Sequence, residues 1–285
     1  MIEWRYGEQL QWRLVLIGLS ENTSRYESHG YTPLRMVQGH LSFRKRYGMP
    51  FAAAPKPRLS ASSRACRAVV AARELSPGSE WGVFRALQLA NFTTPLLFDE
   101  DDQLREVLST LPGVDADRIV AALDSPEVVA SYEADKARAR SAAGSPTELQ
   151  GKAANSDGKV RYTAPSVTFE TADGRKLEAG GFQPVEAYDV LVANLDPTLE
   201  RKAPPADPGE LLDRFEFGLT TQEVAALLTD GNDRPDRAAA EAAMIELVAE
   251  GRAERHPLGD DALWTLPGGW RPAQVGAVAA IGAAG

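Results

Sequence analysis

The sequence predicts an α/β protein: a strand-bearing frame interrupted by a long all-helical insertion, then a small α+β unit at the C-terminal end. Three observations predict it. Residues 162–170, Asp173-Gly174-Arg175 and residues 180–184 read as a strand opened by Pro165, a tight turn, a second strand, and a helix starting at Gln183-Pro184. Proline is tolerated at the first residue of a strand because it cannot donate to the ladder. Asp-Gly between two β-prone runs is a hairpin signal, and Pro184 suits a first helical turn, where its missing N–H has no partner to lose. Second, residues 33–144 carry helical periodicity almost throughout. Third, residues 202–208 hold three prolines in five positions and read as a semi-rigid spacer before a separate unit over 209–270.

In chain order, residues 1–8 read as the end of a helix, with apolar Ile2 and Trp4 and a glycine stop at Gly7. Residues 9–19 read as a strand containing Trp12, Leu14, Val15, Leu16 and Ile17, and 20–32 as a polar loop. Helices are predicted over 60–74, 81–91, 104–111, 115–123 and 126–140. The first presents Leu59, Cys66, Val69 and Val70 as one buried stripe. The last starts at Pro126 and ends among Lys136, Arg138 and Arg140, where the helix dipole favours cations. Residues 145–160 read as a returning loop. Beyond the spacer, Leu211, Leu212 and Phe215 mark a helix, and Thr220-Thr221-Gln222-Glu223 resembles a capping box opening a second. A third runs from Asp236 to Glu250. Residues 252–255 and 262–266 read as two strands turning at Gly259-Asp260, and 271–285 as a flexible tail.

The proline-led hairpin and terminal helix, with a helical block inserted after a strand, resemble the DsbA family of thioredoxin-fold proteins, including its FrnE-like members. The resemblance spans about residues 1–200, with the insertion at about 33–144. It implies a cis bond at Ala164-Pro165, with Thr163, Ala164 and Pro165 forming the loop against which a protein thiol or disulfide substrate, or a small thiol, docks. It also implies a first strand and a Cys-x-x-Cys motif at a helix N-terminus, where the dipole lowers a thiol pKa. The sequence has one cysteine, Cys66, and no such motif; the chain reads as starting inside the family's first helix, an N-terminal truncation. Three family readings follow: an oxidoreductase whose catalytic segment lies upstream, a non-redox binding or adaptor protein, or a glutathione-dependent isomerase or transferase using a serine or cysteine at the first-helix position. Loss of a central strand would leave its neighbours with unpaired backbone groups, at about 1–3 kcal/mol for each that is buried.

The C-terminal unit, three helices and a β-wing, resembles a winged helix-turn-helix, which raises a DNA-binding or signalling-adaptor alternative. Its charge argues against DNA. Residues 209–270 contain 13 acidic side chains against five arginines and no lysine, a net of −8 beside −9 for the whole chain, whereas duplex affinity depends on neutralising phosphates. The single cysteine, the absence of a leader-like N-terminal pattern and of long apolar runs point to a cytoplasmic protein without a membrane span.

Among single residues, Cys66 between Arg64 and Arg67 reads as a small apolar residue on a buried helix face rather than a reactive thiol. His40, followed by Arg44, Lys45 and Arg46, reads as part of a solvated basic face. Asp99-Glu100-Asp101-Asp102 reads as a charged helix start, and Phe182 and Trp81 as core aromatics. No grouping has metal-ligand spacing and no phosphate loop or nucleophile elbow is present, so no catalytic residue, metal or cofactor is expected.

Overall fold

In the computed structural model, residues 1–273 are described. A short helix α1 (Ile2–Tyr6) ends at Gly7 and is followed by a single 3₁₀ turn. After α2 (Ser24–Ser28), the helical block expected as an insertion contains α3 (Pro33–Tyr47), α4 (Ser63–Leu75), α5 (Glu80–Thr93), α6 (Asp101–Leu108), α7 (Ala116–Ala122) and α8 (Pro126–Ala139). Its boundaries follow local chemistry. Thr32 and Ser125 accept the orphan N–H groups of Arg35 and Val128, a proline fills the first position of both helices, and Gly48 closes α3 in the left-handed conformation. The core of this block is built from side chains such as Val70, Val83, Leu104, Leu108, Leu123 and Tyr132, each at most 1% exposed. Burial of one such leucine is worth about 1.5–3 kcal/mol.

A four-residue helix α9 (Pro146–Leu149) and a small hairpin, β1 (Ala153–Asn155) with β2 (Val160–Tyr162), lead back to the frame. There β3 (Ser166–Glu170) pairs antiparallel with β4 (Lys176–Gly180), in register Ser166 to Gly180, and α10 (Val185–Leu195) follows. Phe169, Val192, Leu195 and Tyr6 bury together as a second, small core. The C-terminal unit comprises α11 (Gly209–Arg214), α12 (Thr221–Leu228), α13 (Arg237–Ala249) and a sheet of β5 (Leu219–Thr220), β6 (Glu254–Leu258) and β7 (Asp261–Thr265) in the order β5-β7-β6. Its core includes Leu211, Leu212, Val224, Met244 and the fully buried Trp264, whose indole N–H donates to Thr221 Oγ1 at 3.0 Å.

These cores interlock. Leu258, Leu263 and Trp270 reach the core of the helical insertion, and Trp4 of α1 joins the C-terminal core. The β6–β7 turn is seated on the insertion. Gly259 has φ +58°, and a Cβ there would lie 2.9 Å from the backbone carbon of Phe51, so only glycine permits that approach. The Pro-rich segment also packs: the Lys202 N–H donates to the Arg5 carbonyl at 2.7 Å, Trp4 Nε1 donates to the Ala203 carbonyl at 2.8 Å, and the Lys202 ammonium lies 3.7 Å from the Trp4 ring centre.

Several expectations are corrected. No strand forms over 9–19, because no neighbouring strand pairs with that segment among the described residues. Side chains of the insertion take the place of a ladder. Asp135 accepts from the Leu16 N–H at 3.2 Å, Arg73 donates to the Leu14 carbonyl at 3.2 Å, and Arg140 donates to the carbonyls of Ile17 at 2.7 Å and Gly18 at 3.2 Å. The loops expected over 20–32 and 145–160 hold α2, α9, β1 and part of β2. Trp81 is 37% exposed and Phe182 is 58% exposed, so neither is a core aromatic. His40 is not simply a member of a solvated basic face: its ring lies 5.4 Å from Phe51 and 5.3 Å from Phe92, and burial, with Lys56 nearby, lowers its pKa. In the expected tail, Arg271 pairs with Glu254 at 3.1 Å and Ala273 packs on the insertion core; the remainder of the tail lies outside the described residues.

Candidate functional site

The loop opening β3 is fixed by polar contacts on both sides. Thr163 Oγ1 donates to the Lys152 carbonyl at 2.9 Å, tying the loop to the approach to β1. The Ala164-Pro165 bond is cis, and both residues are exposed. Ser166 Oγ accepts from the Gly181 N–H at 3.3 Å, and Gln183 Nε2 donates to the Gly180 carbonyl at 2.9 Å. The pairing of Ser166 with Gly180 therefore carries Phe182 past the end of β4, beside the loop. Among the described residues β3 pairs with β4 alone, so its other edge has no strand partner.

Phe182 does not stand alone there. Its ring stacks on Tyr47 at 5.0 Å with 17° between planes, and Tyr47 stacks on Phe43 at 5.8 Å and 21°. Phe43 is 48% exposed. Phe43 and Tyr47 are four apart on α3 and so share a helix face; the stack joins that face to the end of the β3–β4 hairpin. Toward the far end of β3, Trp12 meets Phe169 edge to face at 6.5 Å and is itself partly exposed. This surface therefore combines a strand edge without a strand partner among the described residues and aromatic faces beside it. The sequence points to the loop residues Thr163, Ala164 and Pro165, and the structure places them together at this surface. It does not point to Phe43 and Tyr47, whose only sequence signal is the i,i+4 spacing of two aromatics near the end of a basic helix.

A segment of the chain, residues 9–162, matches the DSBA-like thioredoxin domain, more than half of its length. The chain belongs to the DSBA-like thioredoxin family. Comparison with curated proteins finds no match. This DSBA-like protein thus falls within a thiol–disulfide oxidoreductase superfamily, and the matched span ends one residue before the Thr163 loop.

The family's usual chemistry needs a thiolate, and the 285 residues provide one cysteine. Cys66 lies on α4, partly buried, far in sequence from the Thr163 loop; burial pushes its thiol up to about 11. At pH 7 roughly one such thiol in ten thousand is ionised. The neighbouring Arg64 and Arg67 do not activate it because they are spent elsewhere: Arg64 pairs with Asp101 at 2.6 Å, and both arginines reach Asp124. Asp101 and Asp102 occupy the first turn of α6, consistent with a charged helix start. Among the described residues, no helix of this DSBA-like protein is long and apolar enough to cross a membrane.

Proposed function

We propose that the chain binds an extended polypeptide segment, the conformation in which a protein thiol or disulfide substrate presents itself, and that these 285 residues do not exchange disulfides. The observation that carries this reading is the edge of β3 that no strand pairs with among the described residues, which opens at Thr163-Ala164-Pro165 beside the Phe182–Tyr47–Phe43 stack. An added strand gains main-chain hydrogen bonds from an open edge, and alternate side chains find pockets beside it. The aromatic stack would take an apolar residue of the ligand. A lone thiol held at about 11 supplies neither an attacking thiolate nor a resolving partner. One unpaired cysteine also fits a reducing, cytoplasmic setting.

The C-terminal helices and sheet, read as winged-helix-like, serve in this proposal as a packing partner rather than a DNA reader. Supporting this are the net charge of −8 over 209–270 and the seating of the Gly259 turn against Phe51, which engages the wing in the protein's own interior.

The test is binding of a labelled, permanently unfolded polypeptide, measured by fluorescence anisotropy, beside a disulfide-reduction assay on the same chain. Saturable binding that weakens about tenfold in Phe182→Ala, with no acceleration of disulfide reduction, is the expected result. Reduction above the background rate, or binding indifferent to Phe182, would overturn the proposal.

A further inference from the structure

The whole protein carries a net charge of −9, yet the charged lining of one cavity is mostly cationic. It measures about 570 Å³ and lies between the C-terminal end of α3 and the first turns of α12 and α13. Arg44, Lys45 and Arg46 approach from α3, and Arg234 and Arg237 from the other side, against only two carboxylates, Asp260 and Asp261.

Both carboxylates are already neutralised. Asp260 pairs with Arg44 at 2.5 Å and accepts the Phe51 N–H at 2.9 Å. Asp261 pairs with Arg237 at 2.7 Å and accepts the Thr221 hydroxyl at 2.7 Å. That leaves Lys45, Arg46 and Arg234 without an ion pair among the described residues, Arg46 stacking only on the Tyr47 ring at 5.3 Å. Charges of one sign converging on a single space repel unless an anion joins them.

Gln222 and Arg237 belong to the first turns of α12 and α13, whose ends are already capped by Thr220 with Glu223 and by Asp236, so the positive field comes from the side chains. The opposing wall is pressed close: Gly48 caps α3 at φ +71°, and a Cβ there would fall 2.0 Å from Gln222 Oε1. The cavity is therefore a feature of how α3 meets the C-terminal unit rather than a dent in one element.

We propose that this cavity binds a small phosphorylated metabolite of about mononucleotide size. Its volume lies in the range of small-ligand sites, about 300–1,000 Å³, and its guanidinium groups suit phosphate oxygens. A polyanion is disfavoured by the net charge of −9 on the whole chain and −8 over 209–270, which a compact anion held among the cations feels less. The site adjoins the peptide surface proposed above, since Tyr47 borders both, but its cationic lining does not depend on that reading.

The experiment is calorimetric titration of the full chain with inorganic pyrophosphate and with a nucleoside triphosphate, at about 50 mM salt to limit screening. Saturable binding tighter than about 1 mM is expected, weakened at least about tenfold in the combined Lys45→Gln, Arg46→Gln, Arg234→Gln variant. A control variant, Arg118→Gln with Arg138→Gln, removes two exposed cations elsewhere and should bind as the parent does. The three cavity cations make no ion pair among the described residues, so their removal should not lower the thermal midpoint of the free protein, which separates lost binding from lost folding. Pyrophosphate binding as tightly as the triphosphate would narrow the ligand to its phosphate portion and still support the site. No saturation with either ligand, equal binding by the cavity variant, or tighter binding of a single-stranded oligonucleotide than of the triphosphate would overturn it.

Discussion

Arg85 on α5 donates to both carboxylate oxygens of Glu223, at 2.6 and 2.5 Å, while that same carboxylate closes the capping box of α12 by accepting from the Thr220 N–H at 2.8 Å. Arg85 also donates to the Gly218 carbonyl at 3.1 Å. One acidic side chain thus starts a helix and fastens it to the helical insertion. Burial alone would raise the Glu223 pKa, but Arg85 and Thr220 outweigh it and hold the carboxyl below its ordinary value.

Glu223→Ala should cost about 3 kcal/mol, since it strands a mostly buried guanidinium and removes half of a capping box. Thr220→Ala, which removes only the other half, should cost about 1 kcal/mol. Because the folded pKa is depressed, the stability from Glu223 is fully present above the unfolded glutamate value of about 4.3 and is lost as pH falls through the folded value. Urea unfolding at pH 7 of the parent, Glu223→Ala and Thr220→Ala checks the costs, and unfolding of the parent and Glu223→Gln across the acid range checks the pH dependence: the difference between those two should shrink only below about pH 4.3.

Gly259→Ala should destabilise by about 2–3 kcal/mol, combining left-handed backbone strain with the clash against Phe51. Gly231 has the same φ of +58° and nothing within 4 Å of an added Cβ; Gly231→Ala should cost about 1 kcal/mol. The difference in thermal midpoint between the two variants reads the seating of the β6–β7 turn alone. Equal shifts would mean that the turn is not held against the insertion.

The Cys66 thiol, pushed up to about 11 by burial, should resist alkylation in the native protein at pH 8 and react at an ordinary rate once unfolded. Cys66→Ala should lower stability by only about 1 kcal/mol, as expected for loss of a small apolar group. Mass spectrometry of alkylation with and without denaturant checks the first, and chemical denaturation the second.

Burial brings the Lys56 ammonium down to about 8, although it donates to Asn91 Oδ1 at 3.0 Å and the Leu96 carbonyl at 2.5 Å. Desolvation, the dominant cause, exceeds the attraction of Asp99. A lysine whose folded pKa is lowered penalises folding while charged in both states, and that penalty lifts as pH rises from about 8 to the unfolded value near 10.4. The stability of the parent relative to Lys56→Met should therefore increase between pH 7 and pH 10, by up to about 3 kcal/mol. A difference independent of pH would show that the ammonium is solvated.

Much of the chain's local structure was legible because it rests on short-range chemistry. Thr32-Pro33 and Ser125-Pro126 mark helix starts by satisfying or omitting N–H groups within one turn, and Asp173-Gly174 marks a hairpin by a backbone conformation that glycine adopts readily. The Thr163-Ala164-Pro165 loop was legible for a different reason, through resemblance to a family with a cis bond in that loop. The segment 9–19 was misread because its apolar content is compatible with a strand, but a strand needs a partner. Period and propensity report nothing about whether one is adjacent, and here Asp135, Arg73 and Arg140 supply the bonds instead.

The sequence by itself determined the starts of α3 and α8, the β3–β4 hairpin, the single thiol and the acidic balance of the C-terminal unit, since each depends on residues close in the chain or on composition; it misplaced α6, expected over 104–111 and found at Asp101–Leu108. Only the tertiary structure decided that Phe182 stacks on Tyr47 instead of entering a core, that Glu223 serves both its own helix and Arg85, and that basic residues from α3 and α13 share one cavity. Those outcomes depend on contacts between segments more than 100 residues apart, where the identity of the partner is set by packing and leaves no periodic trace in either segment.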